Sequence, residues 1–302
     1  MVTIIIVNYN LSTEVSACLE SLEQELESDS FEVIVVDNGS IDEDFKYLID
    51  LIRTSSSTTL IRSESNIGFG AACNLGVASA RGDFLCFLNP DTTVDSDFLQ
   101  CLLLILNTSN CTMVGPVYSR PGLFEYSSGY FPNLFLETLS IFFVGRHIEA
   151  AMISAKRYFN NSFLKVDWIL GACMLLSKDD FHQVGGFDED FFLFYEEVDL
   201  CKRISDQGGS IALATNCQIN HIGSVSVKKD YIQFTNRFYQ GKLRYIYKQT
   251  KGMKRTLMLR VVWLQMLFQK ALWSFLRILD PEKSNQKIAG FNLALSHFRS
   301  IN

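Results

Sequence analysis

Six carboxylates crowd into the segment GGFDEDFFLFYEEVDLCKR, residues 185–203: Asp188, Glu189, Asp190, Glu196, Glu197 and Asp199, set among five aromatic side chains. Glu196 and Glu197 open a helix, where the dipole favours a negative charge, whereas apolar neighbours push a carboxyl pKa upward, towards the range useful to a general base. One such carboxylate in a partly dry pocket could take the proton of an attacking hydroxyl. An ordinary acidic first helical turn would carry the same residues, so the segment alone leaves both readings open.

Asp91 directly follows the apolar run FLCFLNP. A carboxylate at the end of a buried strand can hold a divalent cation, which offsets the charges of a diphosphate and lets it leave. His221, in the run NHIGS, is a candidate second ligand or a satisfied loop histidine. Asp37 ends the strand-like run FEVIVVD and could accept the N3–H of a uracil or thymine ring, with backbone near Val7 and Tyr9 completing the pocket. An Asx-turn or helix cap would use Asp37 equally well.

The elements that must position these residues alternate. Continuous apolar runs at Val2–Val7, Phe31–Val36, Thr58–Arg62 and Asp83–Leu88 read as buried strands, and helical spacing marks Thr13–Leu26, Asp42–Ile52 and Ala71–Ala80 between them. Strands separated by single helices imply a parallel sheet with right-handed crossovers, which binds ligands beyond its carboxyl edge. Each of the four strands does end in a polar cluster: Asn8-Tyr9-Asn10, Asp37-Asn38-Gly39-Ser40, residues 64–70 and Asn89-Pro90-Asp91. Turn chemistry explains any one cluster; four in succession favour a site. Further on, the pattern predicts a helix over Asp95–Leu106, short strands within 112–130, helix around Leu134–Val144, a strand over Trp168–Leu176, a helix over Glu197–Gln207 stopped by Gly208-Gly209, and a short strand Ile211–Ala214 leading to His221. Gly68-Phe69-Gly70 is no dinucleotide fingerprint, because it follows the third strand and Cys73 stands where a third glycine is required.

The 302 residues, 48% of them hydrophobic, suffice for one large α/β domain with an appendage. The eight cysteines form no CxxC pair and sit mostly in apolar runs, as expected of reduced thiols in a cytosolic protein. No signal peptide is expected, since the opening run is short and lacks a basic start, and no run is long and apolar enough to span a bilayer. The net charge of −6 hides an asymmetry: Tyr231–Leu279 contains ten basic residues and no acid. Within it, Leu257, Val261, Leu264, Phe268, Ala271, Leu272 and Phe275 share one helical face, accompanied by Trp263 and Trp273. This predicts an amphipathic helix on an anionic membrane surface, or one packed on the catalytic domain or on a second subunit.

Taken together, VTIIIVNYN, VIVVDNGS, NIGFGAACNLGVASARGDFLCFLNPDT, WILGACMLLSKDDFHQVGGFDEDFFLFYEEVDLCKR and HIGSVS resemble family 2 of the inverting glycosyltransferases, and its rhamnosyltransferase-like branch in particular. The resemblance implies a GT-A fold over residues 1–227, a Rossmann-like and mostly parallel α/β sheet flanked by helices, followed by a basic helical region over 228–302. It implies that Asp37 contacts the nucleobase, with Val7, Asn8, Tyr9, Asn10, Asn66, Gly68, Asn74 and Asn89 in the nucleotide site. Asp91 matches the last acid of the DXD motif and would bind Mg²⁺ or Mn²⁺ with His221; Asn89 replaces the motif's first acid. Glu197 matches the catalytic base, with Glu196 and Asp199 as substitutes. Trp168, Gly171, Ala172 and Asp188 fall in the stretch lining sugar and acceptor. The QxxRW motif of processive members is absent, which implies a single-addition enzyme. The expected reaction is transfer of L-rhamnose from dTDP-L-rhamnose to a glycan, linked to polyprenyl diphosphate at the inner face of the cell membrane, for a cell-surface polysaccharide. A UDP-hexose donor, or a catalytically inactive glycan- or membrane-binding module, are the alternatives, and a homodimer is allowed.

Overall fold

A computed structural model describes residues 1–25, 31–53, 58–95, 97–119, 127–158, 162–223 and 230–301. The first strands, β1 (Val2–Asn8) and β2 (Phe31–Asn38), are buried at every position, which is why both read as unbroken β-branched runs. With β3 (Thr58–Ser63) and β4 (Phe84–Leu88) they form a parallel set, joined through α1 (Ser12–Glu25), α2 (Asp42–Ile52) and α3 (Phe69–Val77). The remaining strands of the main sheet are β5 (Thr92–Thr93), β6 (Met113–Ser119), β8 (Phe163–Val166), β10 (Cys173–Ser177) and β11 (Ile211–His221). The order is β3-β2-β1-β4-β10-β6-β11-β5, with β8 also on β11. Strand β10 runs antiparallel to both β4 and β6, whereas β6 and β11 are parallel, so the central sheet is mostly parallel and flanked by helices. Its core gathers Ile4, Ile6, Leu22, Val33, Val35, Leu48, Leu88 and Phe98, each contributing roughly 1.5–3 kcal/mol by leaving water.

Several elements differ from their sequence-based bounds. The expected strand Trp168–Leu176 is two: β9 (Trp168–Ile169) pairs with β7 (Ser128–Gly129), and β10 begins only after a turn through Gly171. The short strand at Ile211 continues to His221 across a register irregularity between Ala214 and Gln218. The helix expected around Leu134–Val144 stops at Ser140 (α5, Leu134–Ser140), and α6 (Gly145–Tyr158) follows a turn at Phe143, where φ is 62°. The helix α4 (Phe98–Ser109) begins later than expected, and α7 (Lys178–Gln183) and α8 (Glu196–Asp206) complete this region.

The chain forms two compact units. The first comprises Met1–Tyr130, Ser154–Phe192 and Glu196–Gly223, and holds the sheet. The second comprises Phe131–Ile153, Leu193–Tyr195 and Ser224–Asn302, and contains the long helices α9 (Tyr231–Gln249), α10 (Gly252–Leu276) and α11 (Pro281–Ile301). The sequence-based boundary between 227 and 228 lies outside the described residues. Inside the second unit Lys242 Nζ and Glu137 Oε2 form a buried pair at 2.8 Å, and the Tyr239 hydroxyl donates to Gln269 Oε1 at 2.9 Å. Among the described residues no helix is long and apolar enough to cross a membrane. All eight cysteines are free thiols. Burial pushes the Cys18 and Cys201 thiols up to about 12, a range in which they are inert.

Candidate active site

The carboxyl edge of the sheet is braced before it is functional. Asn8, at the end of β1, is fully buried, and its Nδ2 donates to Asp37 Oδ1 (3.0 Å), Ser40 Oγ (3.0 Å) and Asp44 Oδ2 (2.8 Å). Its Oδ1 accepts from the Leu11 amide at 3.0 Å. Burial pushes the Asp44 carboxyl up, but hydrogen bonds from Ser12, Asn8 and Ser40 outweigh it and hold the group below its ordinary value. Asn10 adopts φ 56° and accepts from the Ile41 amide at 2.9 Å. Beside it Tyr9 is exposed and Val7 buried.

Asp37 is fully buried, and its Oδ2 makes no hydrogen bond; Arg62 Nε lies 3.5 Å away. Parallel pairing sets Arg62 opposite Asp37, and its guanidinium also lies 3.8 Å over the Phe45 ring. Asn38, next in the strand, donates to Asn66 Oδ1 (3.1 Å) and the Gly68 carbonyl (3.2 Å), and accepts from the Ile67 amide (2.9 Å). It fastens the loop before α3, a role that sequence reasoning did not assign it. Gly68 has φ 92° and ψ 165°, and a Cβ there would stand 2.5 Å from the Phe192 carbonyl oxygen. Asn74 clasps another loop, donating to the Phe187 carbonyl (2.9 Å) and Glu189 Oε1 (3.0 Å). Asn66 Oδ1 and both polar side-chain atoms of Asn74 are therefore engaged within the protein.

Asp91 meets His221. The end of β11 turns antiparallel against β5, pairing His221 with Thr92, and the Ile222 amide donates to the Asp91 carbonyl at 3.0 Å. This register brings His221 Nε2 to 3.2 Å from Asp91 Oδ1, both side chains being mostly buried. Tyr118, 4% exposed, packs its ring 5.5 Å from the imidazole and donates its hydroxyl to the Leu170 carbonyl at 3.2 Å. The Asn89 amide donates to the Ala172 carbonyl at 2.9 Å. Two contacts thus tie the Asp91 and His221 region to the turn Leu170-Gly171-Ala172. Tyr118 was not legible as a site residue, because an aromatic in a strand-like stretch signals only core.

The same turn touches the acidic helix. A Cβ on Gly171 would lie 3.4 Å from the Glu197 Cβ, an ordinary packing distance, so Glu197 sits directly beside this turn. Glu196 points elsewhere: a Cβ on Gly70 would lie 3.6 Å from the Glu196 Cβ. Burial, then the neighbouring Glu197 charge, push the Glu196 carboxyl well above the usual range, and its Oε2 has no hydrogen-bond partner. Asp199 is committed to Arg203, Oδ2 to Nε 2.7 Å, and the same guanidinium donates to the Val184 carbonyl at 2.7 Å. Trp168 donates its indole N–H to the Tyr130 carbonyl at 2.9 Å, and Asp188 accepts from the Asp190 amide at 3.0 Å. The structure thus brings Asp91, His221, Asn89, Gly171, Ala172 and Glu197 into one connected set.

Among the described residues no three His, Cys, Asp or Glu side chains gather into a metal cage. Asp91 and His221 nevertheless fit a hard divalent cation: one oxygen and one imidazole nitrogen, 3.2 Å apart, can both reach a single ion. Mg²⁺-type ions are commonly held by one or two protein groups, with substrate phosphates filling the rest.

A nucleotide-binding type of sheet with a carboxylate–imidazole pair and a buried acidic helix start at one edge is the framework of a GT-A glycosyltransferase. The pattern of glycosyl transferase family 2 matches residues 3–185, and the chain belongs to that family. The pattern described as the N-terminal domain of galactosyltransferase matches residues 154–226. Rhamnosyltransferase WbbL of Escherichia coli K12 is 29% identical over 218 residues, covering 69% of this chain and 78% of that protein. The N-acetylglucosaminyl-diphospho-decaprenol L-rhamnosyltransferase of Mycobacterium tuberculosis H37Rv is 23% identical over 219 residues, covering 66% and 68%. In fold, the chain is similar to the mannosyltransferase PcManGT of Pyrobaculum calidifontis, solved with GDP-Man and Mn²⁺; the TM-score is 0.63 at 14% identity, covering 98% of this chain and 86% of that one.

Proposed function

We propose that this glycosyltransferase moves L-rhamnose from dTDP-L-rhamnose onto a glycan linked to polyprenyl diphosphate, one sugar per encounter and with inversion. The observation that carries the reading is the connection of the Asp91–His221 contact to Glu197 through the Gly171-Ala172 turn. It supports a reading in which the Asp91–His221 pair anchors the diphosphate and Glu197 accepts the proton, both of which a single displacement requires. The similarity to the rhamnosyltransferases of Escherichia coli and Mycobacterium tuberculosis supports the sugar, and the diphospho-decaprenol acceptor named for the mycobacterial enzyme supports the acceptor class.

In this reading Asp37 accepts the N3–H of the thymine ring, and Asn8 holds that carboxylate in place. Glu197 takes the proton of the acceptor hydroxyl as its oxygen attacks the anomeric carbon. The bond from that carbon to the diphosphate breaks on the opposite face, and dTDP departs. Asp91 and His221 would hold Mg²⁺ or Mn²⁺, whose charge offsets that of the diphosphate. Burial and the Glu197 charge push the Glu196 carboxyl above its usual range, which lessens the negative charge beside the base. A lipid-linked acceptor would be met at the inner face of the cell membrane, with the enzyme bound peripherally.

A donor panel tests the proposal. dTDP-L-rhamnose, UDP-glucose and UDP-galactose are each incubated with the protein, with EDTA and with added Mg²⁺ or Mn²⁺, and nucleotide release is followed. Turnover of dTDP-rhamnose alone, lost in EDTA and restored by metal, is expected. Preference for a UDP-hexose would overturn the sugar, and no turnover of any donor would point to an inactive binding module.

A further inference from the structure

The second unit leaves in water a set of apolar side chains that its own core does not use. On α10, Met258, Leu259, Val262 and Met266 are buried, while Leu257, Leu264, Phe268 and Phe275, at helical spacing along another side, are exposed. The chain continues into Ile278 and Leu279, 85% and 80% exposed. The turn between α5 and α6 joins the same face. Its Phe142 ring lies 5.5 Å from that of Phe268, and the Ser140 carbonyl accepts from Gln265 of α10 at 3.2 Å. Phe142 and Phe143 are themselves exposed, and Phe143 sits at φ 62°. A bulky residue is an outlier in this left-handed region, which glycine adopts freely. The local backbone would be better served by glycine.

Along α10 the charges have one sign, and the first acids after it are the exposed Asp280 and Glu282. Arg260 is exposed beside the apolar stripe, Arg277 is exposed where the helix ends, and no acid occurs from Tyr231 to Leu279. Glu137 is paired with Lys242 and Glu149 with Arg146. A second copy docking through the same face would set cations against cations. An anionic lipid surface offers both what the stripe lacks, an apolar layer, and what the rim lacks, negative charge. We infer that α10 and the Phe142-Phe143 turn together form the face by which this protein lies on an anionic bilayer. The sequence stripe locates only α10; the turn, from the middle of the chain, is supplied by the fold.

Co-sedimentation of the full chain with vesicles tests this, using phosphatidylcholine alone and phosphatidylcholine mixed with phosphatidylglycerol, at low and high salt. Binding is expected only with the anionic lipid and weakened by salt. Arg260→Gln and Arg277→Gln should each lower the partition by about fivefold. Phe142→Ser with Phe143→Gly should lower it further, while Phe143→Gly alone keeps or raises the melting temperature. An unchanged partition in these variants, or equal binding to both vesicle types, would overturn the inference. So would absence of vesicle binding together with a wild-type dimer that these substitutions make monomeric, which would assign the face to a second copy. Donor turnover by the same variants without lipid, equal to wild type, separates failure of this face from failure of the proposed reaction.

Discussion

His221 Nε2 lies 3.2 Å from Asp91 Oδ1 because the last residues of β11 pair with Thr92 and Thr93 directly after that aspartate. Among the described residues neither belongs to a larger acidic cage, so in the proposed reaction each would carry a large share of diphosphate or cation binding.

Removing either partner should therefore cost activity more than stability. Asp91→Asn and His221→Ala should each lower kcat by roughly 10²–10³-fold, the loss expected when one stabiliser of developing charge is deleted. Steady-state kinetics across a Mg²⁺ or Mn²⁺ titration checks this. His221→Ala should also need more metal for half-maximal rate, and a metal curve identical to wild type would remove the histidine from the site.

Glu196 and Glu197 are neighbours with opposite expected behaviour. Glu197→Gln should reduce kcat by about 10²–10⁴-fold with little change in donor KM, as for loss of a general base. Glu196→Gln should retain most activity. It should also alter the pH dependence of stability. The folded-state pKa of Glu196 is raised above the ordinary 4.5, so its contribution is fully present below pH 4.5 and is lost as pH rises through the folded value. Above pH 4.5 the unfolded chain releases the proton while the folded chain retains it, which favours unfolding. Denaturant melts of wild type and variant across pH should show Glu196→Gln increasingly the more stable as pH rises.

Tyr118 couples His221 to the Gly171 turn, and two substitutions separate its ring from its hydroxyl. Tyr118→Phe keeps the packing and loses one buried hydrogen bond, a cost of about 0.5–1.5 kcal/mol, with a few-fold fall in kcat. Tyr118→Leu also frees the imidazole and should lower kcat further at similar donor KM. Equal kinetics for the two variants would show that the ring does not position His221.

Gly68 occupies a backbone region that is nearly exclusive to glycine, against the Phe192 carbonyl. Gly68→Ala should destabilise the protein by at least about 2 kcal/mol, from strain together with overlap. Thermal unfolding reads this directly.

Much of the framework is legible in the residues themselves. Parallel strands buried on both faces must be apolar throughout, so the runs ending at Asn8, Asp37 and Leu88 announce both the sheet and the edge at which polar groups gather. That logic singles out Asp37 and Asp91 from one dimension, and the crowding of carboxylates among aromatics marks the acidic start of α8. Tertiary structure alone decides the rest. The contact of His221 with Asp91 depends on the antiparallel pairing of two strand ends distant in sequence. Successive helix residues point roughly 100° apart, so which of Glu196 and Glu197 meets Gly171 is set by what packs on each side of α8. Asn66 and Asn74 look alike as ligands or as braces until their hydrogen bonds are seen. The exposed side of α10 is decided in the same way: the helix is apolar on more than one side, and only the packing of Met258, Val262 and Met266 determines which apolar residues remain in water.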